Sequence, residues 1–227
     1  AAERTGNMTI VHNAIVQTVE YDSEAKRVTG VRIIDALTKE PRFYSAQLVF
    51  LNASAIASAM ILLQSKSEAF PNGLANTSDQ VGRNLMDHVS GAGANGIIHG
   101  FENQKVFGRR PGGIYIPRYA NITEKGKPYT RGFGYQGSAS PMGNAGGQMA
   151  GIGREFKEAH RSPGPWRISI GAFGEQLPNP NNRVTLHPSK TDKWGNPVAL
   201  FNVSYGENEH IMLEEARKDA VAMLEAA

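Results

Sequence analysis

Apolar residues dominate residues 8–21 and again 28–34, with β-branched residues prominent and the polar run Asp22-Ser-Glu-Ala-Lys26 between them. This pattern predicts two strands of a β-meander joined by a turn. A second polar stretch, 35–41, leads to Phe43-Tyr44 and then to Gln47-Leu-Val-Phe-Leu51, a short apolar run that reads as a buried strand. Residues 54–65 combine small and straight-chain side chains, which favours a helix with Ser54 at its N-cap. Strand, tight turn of small residues, then helix is the local architecture of nucleotide-binding α/β folds.

From 66 to 96 the pattern is irregular, with Pro71, Asn72-Gly73 and Asn76 as turn formers. Short strand candidates follow at 97–99, 113–116 and 131–136, then a glycine-rich loop at 143–153. Further strands are expected at 166–174, 183–187 and 199–205, the second preceded by a turn cluster at 178–182. Residues 207–227 read as a helix. Met212, Ala216, Ala220, Met223 and Leu224 share one face, and Glu214, Glu215, Arg217 and Lys218 lie largely off it. The order predicts an α+β fold in three segments. A β-meander and strand–helix unit occupies 1–65, a connecting segment 66–95, and an antiparallel sheet with flanking helices 96–227.

Composition narrows the chemistry. Hydrophobic residues make up 40% and charged residues 20% of the 227, ordinary values for a globular protein. The net charge of +3 comes without a dense basic block, and Arg109-Arg110 reads as a solvated loop, so no nucleic-acid partner is expected. Cysteine is absent, which excludes disulfides, Cys-ligated zinc and thiol catalysis. No apolar run approaches the roughly 20 residues that span a bilayer. The six histidines are scattered without metal-ligand spacing, and no Gly-x-Ser-x-Gly elbow supports a hydrolase triad. Gly91-Ala-Gly-Ala-Asn-Gly96 matches G-x-G-x-x-G literally, but Ile97-Ile98 follows it and no acid lies about 20 residues on, so it reads as the entry to a strand. Asn-x-Ser/Thr matches at Asn7, Asn52, Asn76, Asn121 and Asn202 read as chance in an Asn-rich chain. Asp87-His88 offers a carboxylate beside an imidazole, a possible base. Adjacent residues rarely point into one site, which favours a turn-forming role.

Four blocks in order resemble the glucose–methanol–choline (GMC) family of FAD-dependent oxidoreductases. The most specific is Val81-Gly-Arg-Asn-Leu-Met-Asp-His88, similar to the family's Val-Gly-x-Asn-Leu-x-Asp-His. Glu175-Gln-Leu-Pro-Asn-Pro-Asn-Asn-Arg-Val-Thr-Leu186 resembles Glu-x-x-Pro-x-x-x-Asn-Arg-Val-x-Leu. His12-Asn-Ala-Ile-Val16 and the run from Leu48 to Ser65 are the weaker two. The whole stretch from Pro71 to His88 looks most like the bacterial branch of sugar-acid and polyol dehydrogenases.

The resemblance implies a fragment of an enzyme acting on CH–OH groups of alcohols, sugars or polyols, with FAD as cofactor of the full-length parent. By that resemblance Val16 meets the adenine through its backbone, and Asn52, Ala53 and Ser54 form the cofactor-side turn. The family has Gly where Ser54 stands, which puts close backbone approach at that turn in doubt. Tyr135, Phe173 and Glu175 are expected on the substrate-facing sheet, Phe173 and Glu175 sharing a strand face. The family's N-terminal FAD fingerprint and C-terminal catalytic His segment have no counterpart here. The chain alone is therefore expected to hold no catalytic residue, no bound FAD and no activity. The competing reading is a non-enzymatic β-rich module that binds carbohydrate or a partner protein through Tyr115, Tyr135, Phe173 and Trp166.

Overall fold

The computed structural model describes residues 2–102, 104, 113–123, 126–142, 151–161 and 163–227. Arg109-Arg110 and most of the glycine-rich loop at 143–153 lie outside the described residues. The fold is α+β with antiparallel sheets. It divides into two compact units. Unit 1 is Ala1–Leu85 with Pro178–Ser204, and unit 2 is Met86–Leu177 with Tyr205–Ala227.

Unit 1 opens with the expected meander. Strands β1 (Ala14–Asp22), β2 (Arg27–Asp35) and β3 (Pro41–Ser45) form a sheet in that order. Both turns are closed by an aspartate. Asp22 accepts from the N–H groups of Glu24 and Ala25, and Asp35 from those of Leu37 and Thr38, the local bonding that makes Asp a turn former. Helix α1 (Ala55–Gln64) buries Met60, Ile61 and Leu63. At its end the Ser65 hydroxyl accepts from the Val19 N–H at 2.8 Å and donates to the Ile61 carbonyl at 2.7 Å, tying helix to sheet.

Two expected strand segments form no ladder. Residues 7–11 precede β1 unpaired, with Met8, Ile10 and Val11 exposed. Residues 48–51 run as an unpaired segment in which Val49 and Leu51 pack on the core and Leu48 and Phe50 are 77% and 82% exposed. Apolar content suggests a buried strand here, but a strand exists only where a neighbour supplies its hydrogen bonds.

The segment 178–204 returns to unit 1 as strands β9 (Arg183–Thr191) and β10 (Pro197–Asn202), an antiparallel pair. It meets residues 79–85. The Leu85 N–H donates to the Asn182 carbonyl and the Val184 N–H to the Gly82 carbonyl. Arg83 binds the Asp79 carboxylate and donates to the Pro180 carbonyl at 2.9 Å. Gly82 has φ 82°, and a Cβ there would lie 2.4 Å from the Val184 oxygen. Backbone approach of this kind is a reason for Gly rather than preference. The two most specific blocks of the resemblance thus meet here as one structural clasp.

Unit 2 is a sheet of β4 (His88–Val89), β5 (Gly93–Ile98), β6 (Ile114–Ile116), β7 (Phe133–Pro141) and β8 (Trp166–Glu175). Its order is β4-β8-β7-β6, with β5 also pairing β8. Helix α2 (Arg154–Arg161), absent from the sequence reading, is short and carries an Arg154–Glu158 pair one turn apart. Helix α3 (Glu207–Glu225) covers one face of the sheet. Met212, Ala216 and Ala220 are buried against Val89, Phe133, Tyr135, Ile170 and Ala172, and Met223 and Leu224 pack at the margin. This is the helix face expected from sequence. It begins at Glu207, where the sequence places its start. Glu209 is 4% exposed and accepts from the N–H groups of Gly206 at 2.8 Å and Leu177 at 2.9 Å. Burial pushes its carboxyl up, but the Leu177 and Gly206 donors outweigh that and hold it below the ordinary value.

Candidate functional site

Strand alternation sorts the unit 2 sheet into two faces. Tyr135 pairs with Ala172 and Phe133 with Gly174 on the side covered by α3. Phe173 pairs with Gly134, and Glu175 with His88, on the opposite, open side. Phe173 is 40% exposed there and Glu175 is also exposed. The two therefore share a face, as expected.

The open face has a bare floor and a polar rim. Gly171, two residues before Phe173, sits opposite Gln136 and Gly93 in the register. A Cβ built on Gly171 would meet nothing closer than the Gln136 carbonyl at 3.9 Å, so the space above it is open. The His88 ring stands edge-on to Phe173, with centroids 5.2 Å apart. Glu175 accepts from Arg118 at 3.0 Å and lies 3.8 Å from Arg131. Tyr115, opposite Gln136, is another exposed aromatic on this side. Apolar rings, amide and hydroxyl groups and a charged cluster around a flat floor suit a small hydroxylated molecule.

Tyr135 lies apart from this group. It is fully buried on the α3 side, and its hydroxyl donates to the Ala216 carbonyl at 2.7 Å. Burial pushes its phenol up to about 12. A ligand on the open face cannot reach it. Trp166 belongs to the Tyr135 side by strand alternation, and its indole N–H donates to the Gln104 carbonyl. Sequence reasoning missed Arg118, Arg131 and the register of His88 with Glu175. The two arginines lie 57 and 44 residues from Glu175 along the chain, and no local pattern marks such long-range partners. Gly91-Ala-Gly-Ala-Asn-Gly96 enters strand β5, with no helix after it.

The residues expected on a cofactor side lie in unit 1. Val16 is half-buried in β1, next to an irregularity between Val16 and Thr18, on the edge strand of its sheet. Asn52, Ala53 and Ser54 are exposed ahead of α1. Ser54 occupies the N-cap position, but its side chain makes no capping bond, and its backbone stands at φ 77°, ψ 163°. The N-cap position is the expected one, without the capping bond. This is a conformation almost reserved for Gly, so the backbone keeps a Gly-type turn although the residue is Ser. Among the described residues, no group of three His, Asp or Glu side chains is placed to hold a metal ion, and no helix is long and apolar enough to cross a membrane.

No family model matches the chain. It is 29% identical over 192 residues to 2-methyl-1,2-propanediol dehydrogenase of Mycolicibacterium austroafricanum, a match covering 81% of this chain and 34% of that protein. It is 28% identical over 211 residues to the fructose dehydrogenase large subunit of Gluconobacter japonicus, covering 91% of this chain and 37% of that one. The chain spans about a third of the length of these curated relatives. Both relatives are named as dehydrogenases.

Proposed function

We propose that this chain forms the central part of an FAD-dependent oxidoreductase of the GMC type, which oxidises a CH–OH group of an alcohol, sugar or polyol. The observation that carries the reading is the path from Leu48 into α1. A segment apolar on both sides, without strand partners, runs through Asn52 and Ala53 into a Gly-type turn at Ser54 and then a helix. A strand apolar on both faces suits the interior of a parallel sheet, and the following turn and helix complete the outline of a nucleotide-binding unit. The names of both relatives agree with the redox class.

Unit 1 is the cofactor side in this reading. The residues fit FAD in part. Val16 offers backbone groups on an edge strand beside an irregularity, and Asn52 and Ala53 are exposed before the N-terminus of α1, the Ala53 N–H donating to the Ser58 hydroxyl at 3.3 Å. At Ser54 the turn has the open conformation, while the Cβ narrows the approach. FAD, when bound, supplies the hydride acceptor. Unit 2 is the substrate side. Phe173 provides an apolar wall, and Glu175, held by Arg118, a fixed hydrogen-bond acceptor for a substrate hydroxyl. Tyr135 supports this sheet from behind.

The test uses the protein expressed from its full reading frame. Flavin absorbance near one per chain is expected, with dye reduction by an alcohol or sugar. Phe173→Ala and Glu175→Ala should lower kcat/KM, while Ala172→Ser on the covered face should change stability alone. Absence of flavin and of dye reduction would instead favour the carbohydrate- or partner-binding module, with Tyr115 and Phe173 as its contacts.

A further inference from the structure

The open face of unit 2 extends beyond Phe173 and Glu175 as two uncharged rows. Strands β7 and β8 pair without a register shift from Phe133 to Pro141, so residues directly opposite share a face. One row is Gly93, Gly171, Gln136 and Tyr115, read across β5, β8, β7 and β6. The next is Asn95, Ser169 and Ser138. Neighbours within a row stand about 4.5–5.5 Å apart at Cβ. The charges of this face lie to either side. Glu175 with Arg118 and Arg131 stands past Phe173, and Arg167 stands in the row after Ser169, opposite Ile97 and Ser140.

Asn95, Gln136 and Ser138 are exposed and Ser169 is half-buried. Among the described residues, none of these four side chains has a hydrogen-bond partner. Each both donates and accepts. Water on such groups is replaced without loss only by a group that also donates and accepts. A hydroxyl meets that condition. An alkyl chain strips the water and leaves donors and acceptors unpaired, and an oxyanion, which only accepts, leaves half of them unused. Gly93 and Gly171 put no side chain between this row and Phe173, so one molecule can reach both.

We propose that Asn95, Ser138 and Ser169 determine specificity on this face, by hydrogen-bonding the hydroxyls of a sugar or polyol at the end away from Phe173 and Glu175. The inference rests on the oxidoreductase reading for the ligand's being a substrate. Polyhydroxylated molecules are then favoured over monohydric alcohols of equal carbon number, because only they replace the water that the row gives up.

The protein expressed from its full reading frame is tested with sorbitol and n-hexanol, which share a carbon count and differ in hydroxyls. Sorbitol binding is followed by saturation-transfer NMR, and turnover by dye reduction. A saturable sorbitol signal is expected, with kcat/KM for sorbitol above that for n-hexanol. Asn95→Ala and Ser169→Ala should each weaken sorbitol binding about threefold to tenfold, the loss of one neutral hydrogen bond. The ratio of the two kcat/KM values should fall by a similar factor. Asn95→Ser, which keeps a donor and an acceptor, should restore part of the loss. The inference is overturned if sorbitol gives no saturable signal, or if it binds the Asn95→Ala and Ser169→Ala proteins as tightly as the native one. Flavin content separates the two readings. An active, flavin-loaded enzyme whose sorbitol affinity ignores this row keeps the oxidoreductase reading and ends this one, and row-dependent sorbitol binding by a flavin-free protein does the reverse.

Discussion

The two units differ in the size of the buried cluster each packs around. Unit 2 gathers ten buried side chains around α3, whereas the buried cluster of unit 1 centres on three, Val19, Ile61 and Leu74. Both units leave apolar residues exposed, Met8, Ile10, Val11, Leu48 and Phe50 in unit 1 and Ile97, Ile122 and Ile152 in unit 2. In unit 2, the helical period of α3 and the two-residue period of β7 and β8 point to the same interface. In unit 1, the exposed apolar residues of 7–11 and 48–51 have no partners among its own strands. A matched apolar pattern closes a core; an unmatched one marks a surface suited to further packing.

The largest expected effect tests the covered face of unit 2. Met212→Ala should cost about 2–5 kcal/mol, because it deletes a buried side chain from a dense interface and leaves a cavity. Calorimetry would show the loss. A cost below about 1 kcal/mol would mean that the core of unit 2 is no tighter than that of unit 1.

Glu209 gives the next effect, and a pH signature. Its carboxyl is held below its ordinary value of 4.5 in the folded chain. The stability it contributes is therefore fully present above that value and is lost as pH falls through the lower folded value. Glu209→Gln should lose about 1–2 kcal/mol at pH 7, the scale of hydrogen bonds to a charged acceptor. The gap between mutant and native chain should narrow once the pH drops below 4.5. A pH-independent difference would assign the effect to shape alone.

The smallest effect belongs to unit 1. Ser54→Gly should stabilise by about 1 kcal/mol. Relief of a φ 77° backbone outweighs the extra freedom Gly brings to the unfolded chain. A destabilised variant would show that the Ser54 side chain makes a contact worth more than the strain.

Much of this was legible in sequence. The aspartate turns of the meander, α1, most strands of unit 2 and the buried stripe of α3 follow from local propensity and period. What escaped depends on distant partners. Residues 48–51 look like a strand, yet a ladder needs a neighbour that local composition does not reveal. Glu209 looks like one more surface acid of an amphipathic helix until Leu177 aims its N–H at it. At the site, the common face of Phe173 and Glu175 was readable because they are two apart on one strand. The opposite orientation of Tyr135 was not, because register between strands β7 and β8 sets it. Arg118 and Arg131 reach Glu175 only through the sheet.

The clasp between residues 79–85 and 180–184 also sets an order of events. Unit 1 is interrupted by the 92 residues of Met86–Leu177, so during synthesis its meander and helix emerge well before β9 and β10 can join them. Unit 2 has the converse arrangement, since its sheet emerges before α3 can cover it. Each unit waits on a segment made after the other has begun, and closing such long loops slows folding more than it weakens the folded state. Maturation of these two units is therefore a problem of timing, with apolar sheet surfaces uncovered until residues 178–227 arrive in sequence.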